Sequence, residues 1–162
     1  MRELIIKRNK PDKDNIGFTS NGESFITLKF YHWYRHDATL VFDNEIYTIR
    51  EKGFWATYLV ISKSEEAATQ YKLKYRFFRP YELDLGECGF FRLHSLGGFI
   101  KDEWSILDQA GVEIMRFSFH NWSFRIEGKA ILYIHDNYPY LKFILGVTWF
   151  AVYNIRKRNN TP

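Results

Sequence analysis

The chain has a single cysteine, four prolines and two methionines in 162 residues. With Cys88 alone, no disulfide can close within the chain, which excludes the stapled scaffolds of small secreted domains. The N-terminal apolar run, Leu4-Ile5-Ile6, is far shorter than a secretory h-region, and no small-residue cleavage site follows it. The expectation is a cytoplasmic protein, at most peripheral at a membrane. Long hydrophobic runs are also missing. The longest, Phe143 to Tyr153, falls short of the ~20 residues that a membrane-spanning helix needs, so no transmembrane span is expected. Alanine is sparse, which removes the strongest helix former.

What the chain does have is apolar and aromatic surface, 46% and 19% of its residues. Phe, Tyr and Trp each bury large areas, and together with β-branched residues they suit a pleated, half-buried sheet. The length is that of one domain, and about 150 residues suffice to bury roughly 70% of the unfolded surface. Formal charge is +4, a mild bias toward anionic partners.

From Ser24 to His135 short alternating runs are separated by turn residues, the period-2 signal of strands. Ile26, Leu28 and Phe30 share a face. Ala38, Leu40 and Phe42 repeat the pattern, and Asp43-Asn44 turns the chain into Glu45–Ile49 as a hairpin. The stretch Phe54–Ile61 reads as a strand covered on both faces, and Gln70–Phe78 as the next, stopped by Arg79-Pro80. Trp104–Leu107, the turn Asp108–Gly111 and Val112–Phe117 form a second hairpin. Glu127-Gly128 is expected to turn Trp122–Ile126 into Ala130–His135. The pattern predicts a single mainly β domain over residues 1–162, an antiparallel barrel of roughly ten to twelve strands between about residues 2 and 135.

The C-terminal segment departs from this pattern. Asn137-Tyr138-Pro139 offers a helix start, with proline in the first turn. Leu141, Ile144, Leu145, Thr148 and Val152 fall on one helical face, while Phe143, Val147, Phe150 and Ala151 cover most of the remainder. A helix that is apolar nearly all round is buried in protein or lipid, and its short apolar length favours protein. The predicted helix spans about 138–155, followed by a basic tail over 156–162. Arg156, Lys157 and Arg158 stand where a helix C-terminus favours cations.

A hairpin-built β domain that closes on a buried C-terminal helix resembles the tubby-like architecture of the tubby C-terminal domain, the LURP-one-related proteins and the phospholipid scramblases. The residues that carry the likeness are Trp104-x-Ile106-x-Asp108-x-x-Gly111 with Val112–Phe117, and the ending Asp136-Asn137-Tyr138-Pro139 through Ile155. The resemblance implies a barrel wrapped around the helix, and binding to phosphoinositide or other membrane lipid, or a scaffold role. It implies no common reaction.

The most distinctive polar feature is Tyr71-Lys72-Leu73-Lys74-Tyr75-Arg76-Phe77-Phe78-Arg79. On a strand, Lys72, Lys74 and Arg76 line one face at spacings of roughly 6–7 Å, a surface suited to phosphates, and the aromatics turn to the other. The bland alternative is an exposed strand whose lysines guard it against aggregation. Single-stranded nucleic acid is disfavoured because it wants aromatics beside the charges.

Other constellations are weaker. His32 and His36 on a strand would lie about 13 Å apart, too far to share a metal, and His94, His120 and His135 are scattered. Glu82, Asp84 and Glu87 could pair carboxylates, but nothing completes a calcium or glycosidase site. No metal, cofactor or catalytic residue is expected. The resulting expectation is a non-enzymatic binding module for anionic lipid headgroups or an acidic protein, using Lys72, Lys74, Arg76 and Arg79. A second reading is a barrel that carries an apolar small molecule such as a fatty acid, which requires an open lumen. A third lets Leu141–Ile155 dip into a bilayer, with Arg156–Arg158 on its surface.

Overall fold

A computed structural model describes residues 1–9, 14–31, 37–53, 57–63, 67–74, 80–97, 102–119 and 127–159. Twelve antiparallel strands close into a barrel around one C-terminal helix. They are β1 (Arg2–Arg8), β2 (Asn15–Ser20), β3 (Glu23–Phe30), β4 (Asp37–Phe42), β5 (Glu45–Lys52), β6 (Thr57–Lys63), β7 (Thr69–Lys74), β8 (Tyr81–Asp84), β9 (Phe90–Ser95), β10 (Asp102–Leu107), β11 (Glu113–Phe119) and β12 (Gly128–Leu132). Helix α1 spans Leu141–Asn159. Each strand pairs with its chain neighbours, and β1 closes the barrel on β12 with Leu4 opposite Ala130.

The turns follow from local chemistry. Asp43 and Asn44 both adopt left-handed backbone, at φ 47° and 63°, which gives β4 and β5 the tight two-residue connection whose twist matches the strands. Between β10 and β11 the Asp108 carboxylate accepts the Val112 N–H, and Gly111 supplies positive φ.

Alternation sends one face of every strand inward. Leu4, Ile6, Phe18, Leu28, Leu40, Leu93, Ile106, Phe117 and Leu132 are almost fully buried and share one core with the apolar residues of α1. Every residue of α1 from Phe143 to Val152 is buried. Trp149 sits at the centre, edge-on to Phe18 at 5.5 Å between ring centroids and parallel to Tyr153 at the same separation. Each such aromatic contributes about 1.5–3 kcal/mol through burial. Thr148, wholly buried, returns its hydroxyl to the Ile144 carbonyl at 2.6 Å, so its burial leaves no donor unmet.

The helix therefore fills the lumen. Its bounds differ from the sequence expectation at both ends. Tyr140 stands in left-handed backbone at φ 58°, so Pro139 lies outside and the helix begins at Leu141. At the other end it continues to Asn159, and Arg156–Arg158 form its last turn instead of a tail. Gly128 also departs from the expected turn role. It opens β12 opposite Phe119, and a Cβ there would lie 2.2 Å from the Ser118 carbonyl oxygen, so close backbone approach is what demands glycine. Residues 75–79 and 121–126 lie outside the described residues, as do the expected strand portions on them.

Strand direction defines two mouths. The upper mouth holds the start of α1, where Lys142 binds Asp43 at 2.6 Å. The lower mouth holds its end, and β1, β3, β5, β7, β9 and β11 all run toward it.

Candidate anion-binding surface

β7 keeps the expected alternation. Lys72 and Lys74 are exposed on the outer wall, Leu73 between them is buried, and Tyr71 is half-buried. Lys72 lies opposite Tyr58 of β6, and Lys74 opposite Glu82 of β8. The Lys74 ammonium is 3.9 Å from the Glu82 carboxylate with about half of its side chain in water. A contact of that length and exposure holds the cation only weakly. Arg76 and Arg79 lie outside the described residues.

The lysines of β7 belong to a larger set. Lys7 and Arg8 end β1, Lys29 is next to last in β3, and Arg50 and Lys52 fall in the last three residues of β5. With Lys72, Lys74 and Lys129 these are the exposed cations among the described residues; all but Lys129 stand toward the lower mouth, on β1, β3, β5 and β7, while Lys129, opposite Ile5 in the middle of β1, binds Glu3 at 3.0 Å. Outside β7 the individual stretches carry no signal because the cations are scattered along the chain. A parity count would have found them: in an up-and-down barrel, the C-terminal ends of alternate strands share a mouth.

The exposed carboxylates sort the other way. Glu3 and Glu23 stand at the starts of β1 and β3, Asp43 turns β4 into β5, Asp84 ends β8, Glu87 lies between β8 and β9, and Asp136 precedes α1. All are in the upper half. Asp14, just before β2, is the exception among the described residues.

At the lower mouth, arginines of α1 pair with two acids. The buried Arg156 guanidinium binds Asp102 and lies 3.8 Å from the centroid of the Phe119 ring. Asp102 also accepts the Trp104 indole N–H at 3.0 Å. Arg158 binds Glu51 at 2.6 Å, with only 6% of the Glu51 side chain exposed. Burial holds the Lys157 ammonium below the ordinary lysine range, an effect the nearby Glu51 opposes. The helix arginines are thus committed to the barrel wall. Arg156 is buried and is not available to a headgroup, contrary to the picture of a basic segment lying on a bilayer.

At the upper mouth a cavity of about 230 Å³ is lined by Phe42, Tyr47, Phe143, Tyr138 and Tyr140 with Asp43 and Glu45. Its acids are already engaged. Lys142 holds Asp43, while Glu45 accepts from Lys63 and the Tyr47 hydroxyl, both at 2.7 Å, which lowers its pKa.

Among the described residues no three His, Cys, Asp or Glu side chains gather as a metal site. His94, in β9, and His135, between β12 and α1, are exposed, and His32, His36 and His120 lie outside the described residues. Burial, reinforced by Glu87, raises the Cys88 thiol above its ordinary pKa. Asp84 caps a local turn by accepting the Gly86 N–H. Among the described residues no helix is long and apolar enough to cross a membrane. The chain matches no protein-family model, no curated protein and no solved structure.

Proposed function

We propose that the chain is a non-enzymatic binding module of tubby-like architecture that engages anionic lipid headgroups through Lys72 and Lys74, with Arg76 and Arg79 on the chain that continues from β7. It acts at the cytoplasmic surface of a membrane. The observation that carries this reading is the outward pair Lys72 and Lys74 on either side of the buried Leu73. Two ammonium groups spaced by roughly 7 Å can each meet a different phosphate. The closed barrel around a terminal helix is also the arrangement that the tubby-like group implies.

The carrier reading lacks the space it needs. The lumen is occupied by α1, whose central aromatic residues contact the strands directly. A bilayer-dipping helix is likewise disfavoured, because separating α1 from the barrel would expose the whole core.

Each lysine or arginine close to an anionic bilayer contributes about 1 kcal/mol. Lys72 and Lys74 alone therefore supply about 2 kcal/mol, and with Arg76 and Arg79 about 4 kcal/mol, which corresponds to a dissociation constant near 1 mM. Co-sedimentation with phosphatidylcholine vesicles containing phosphatidylserine or a phosphoinositide tests the reading. The wild type should bind only when anionic lipid is present, and the Lys72→Glu/Lys74→Glu/Arg76→Glu variant should stay in the supernatant with its fold intact. Unchanged binding by the variant, or no binding by the wild type, would overturn the reading. In the second case, capture by an acidic polypeptide would identify a protein partner instead.

A further inference from the structure

We propose that the upper-mouth cavity binds a small organic cation with a methylated ammonium group, of the kind choline carries. The proposal is independent of the anionic-lipid reading, because none of the cavity's residues belongs to β7.

The cavity arises from strand parity. In the register of β4 with β5, Phe42 lies opposite Glu45 and Leu40 opposite Tyr47, so all four share the inner face. Leu40 is fully buried, whereas Phe42, Glu45 and Tyr47 are half-buried, because α1 begins at Leu141 and its first turn covers them incompletely. Phe42 stacks on Tyr47 at 5.5 Å between ring centroids, and Phe143 of α1 tilts against Tyr47 at 5.1 Å. Tyr138 and Tyr140 complete the aromatic lining. The enclosed space of about 230 Å³ lies below the roughly 300–1,000 Å³ of a pocket for a drug-sized ligand and suits one small headgroup.

Charge selects the sign of the occupant. Asp43, Glu45 and Asp136 line the space, against Lys142 as the one lining cation among the described residues. An anion would be repelled there, and a purely apolar ligand would strip water from the carboxylates. Aromatic faces beside carboxylates suit an organic cation. Hydrogen bonding then selects the kind of cation. Glu45 already accepts from Lys63 and the Tyr47 hydroxyl, Asp43 from Lys142, and Asp136 from Arg2 at 2.8 Å. Lys63 and Arg2 approach from outside the lining, so the cavity itself keeps an excess of negative charge. A primary ammonium would need acceptors for its N–H donors and would compete with these partners. A quaternary ammonium has no N–H and needs only negative charge and aromatic faces. The chain already places one cation on these rings, since Lys63 Nζ lies 5.8 Å from the Tyr47 centroid.

Core packing does not account for the conformation of Tyr140. Its backbone is left-handed at φ 58°, a costly region for a bulky residue, and the residue is 56% exposed, so burial does not offset that strain. The strain holds an aromatic residue at the cavity rim, where a bound cation would use it.

Choline titrated into the full chain and followed by NMR should give saturable shifts in the Tyr140 and Phe143 signals. Dimethylbutanol, its uncharged carbon isostere, has the same shape and should bind at least about tenfold more weakly. Tyr140→Ala and Glu45→Gln should each weaken choline binding by about threefold or more, while Tyr140→Phe keeps the ring and should bind as the wild type does. Lys72→Glu/Lys74→Glu should also bind choline as the wild type does, whatever its behaviour on vesicles. Equal affinity for the isostere would make the site an apolar pocket and overturn the proposal. Absence of saturable shifts, or undiminished binding by both Tyr140→Ala and Glu45→Gln, would overturn it too. Tighter binding of a trimethyl-lysine peptide than of choline would overturn the small-molecule assignment in favour of a protein partner.

Discussion

Gly146 and Leu40 meet at the barrel axis with no room between them: a Cβ on Gly146 would lie 2.5 and 2.6 Å from the two Leu40 methyl carbons. Both residues are buried, and the backbone of Gly146 is ordinary helix. Glycine is required here for space, which lets the helix approach β4 closely.

Gly146→Ala tests that contact. Helix propensity alone favours alanine by about 1 kcal/mol, but forcing a methyl into a filled core costs about 1–3 kcal/mol. The expected net result is a loss of about 1 kcal/mol in urea unfolding. Leu40→Val added to this variant should cost less than it does in the wild type, because it relieves the clash. A more stable Gly146→Ala protein would show that the barrel has slack.

Arg156 joins three elements by binding Asp102 of β10 and covering Phe119 of β11 from the end of α1. Arg156→Ala strips a partly buried carboxylate of its partner and removes a cation from an aromatic face, with an expected loss of about 2 kcal/mol. Arg156→Lys keeps the charge without the planar fork and should lose less, about 1 kcal/mol. Equal losses in the two variants, measured by chemical denaturation, would mean that charge contributes nothing.

Glu113 receives two hydrogen bonds from Arg116, at 2.8 and 2.7 Å, and they lower its carboxyl pKa below the ordinary value. A depressed native pKa means that the unfolded chain takes up the proton first. The pair's contribution is therefore complete above pH ~4.3 and is lost as pH falls through the native pKa. Glu45 behaves likewise, held down first by Lys63 and then by the Tyr47 hydroxyl. Glu113→Gln should be less stable than wild type at neutral pH, and its urea midpoint should fall less between pH 5 and 3. Parallel profiles would show that the pair does not contribute to acid stability.

Much of the architecture was legible because it is local. Asp43-Asn44 and Asp108–Gly111 announce their hairpins through turn chemistry that needs only a few residues. The outward Lys72 and Lys74 follow from strand alternation alone. The start of α1 was less legible, since the left-handed backbone at Tyr140 delays a helix that Pro139 would otherwise open. The gathering of exposed cations toward one end of the barrel was invisible as a motif because its members are dispersed from Lys7 to Lys74.

The sequence by itself determined a β-rich domain and the all-round burial of its terminal helix, since alternation and an apolar circumference are properties of short stretches. Only the tertiary structure decided that the helix fills the barrel, that β1 closes on β12, and that Arg156 answers Asp102 across 54 residues. It also decided which charges share a mouth. Those relations depend on which strand ends the closed barrel brings together, and no local pattern encodes that distance in space.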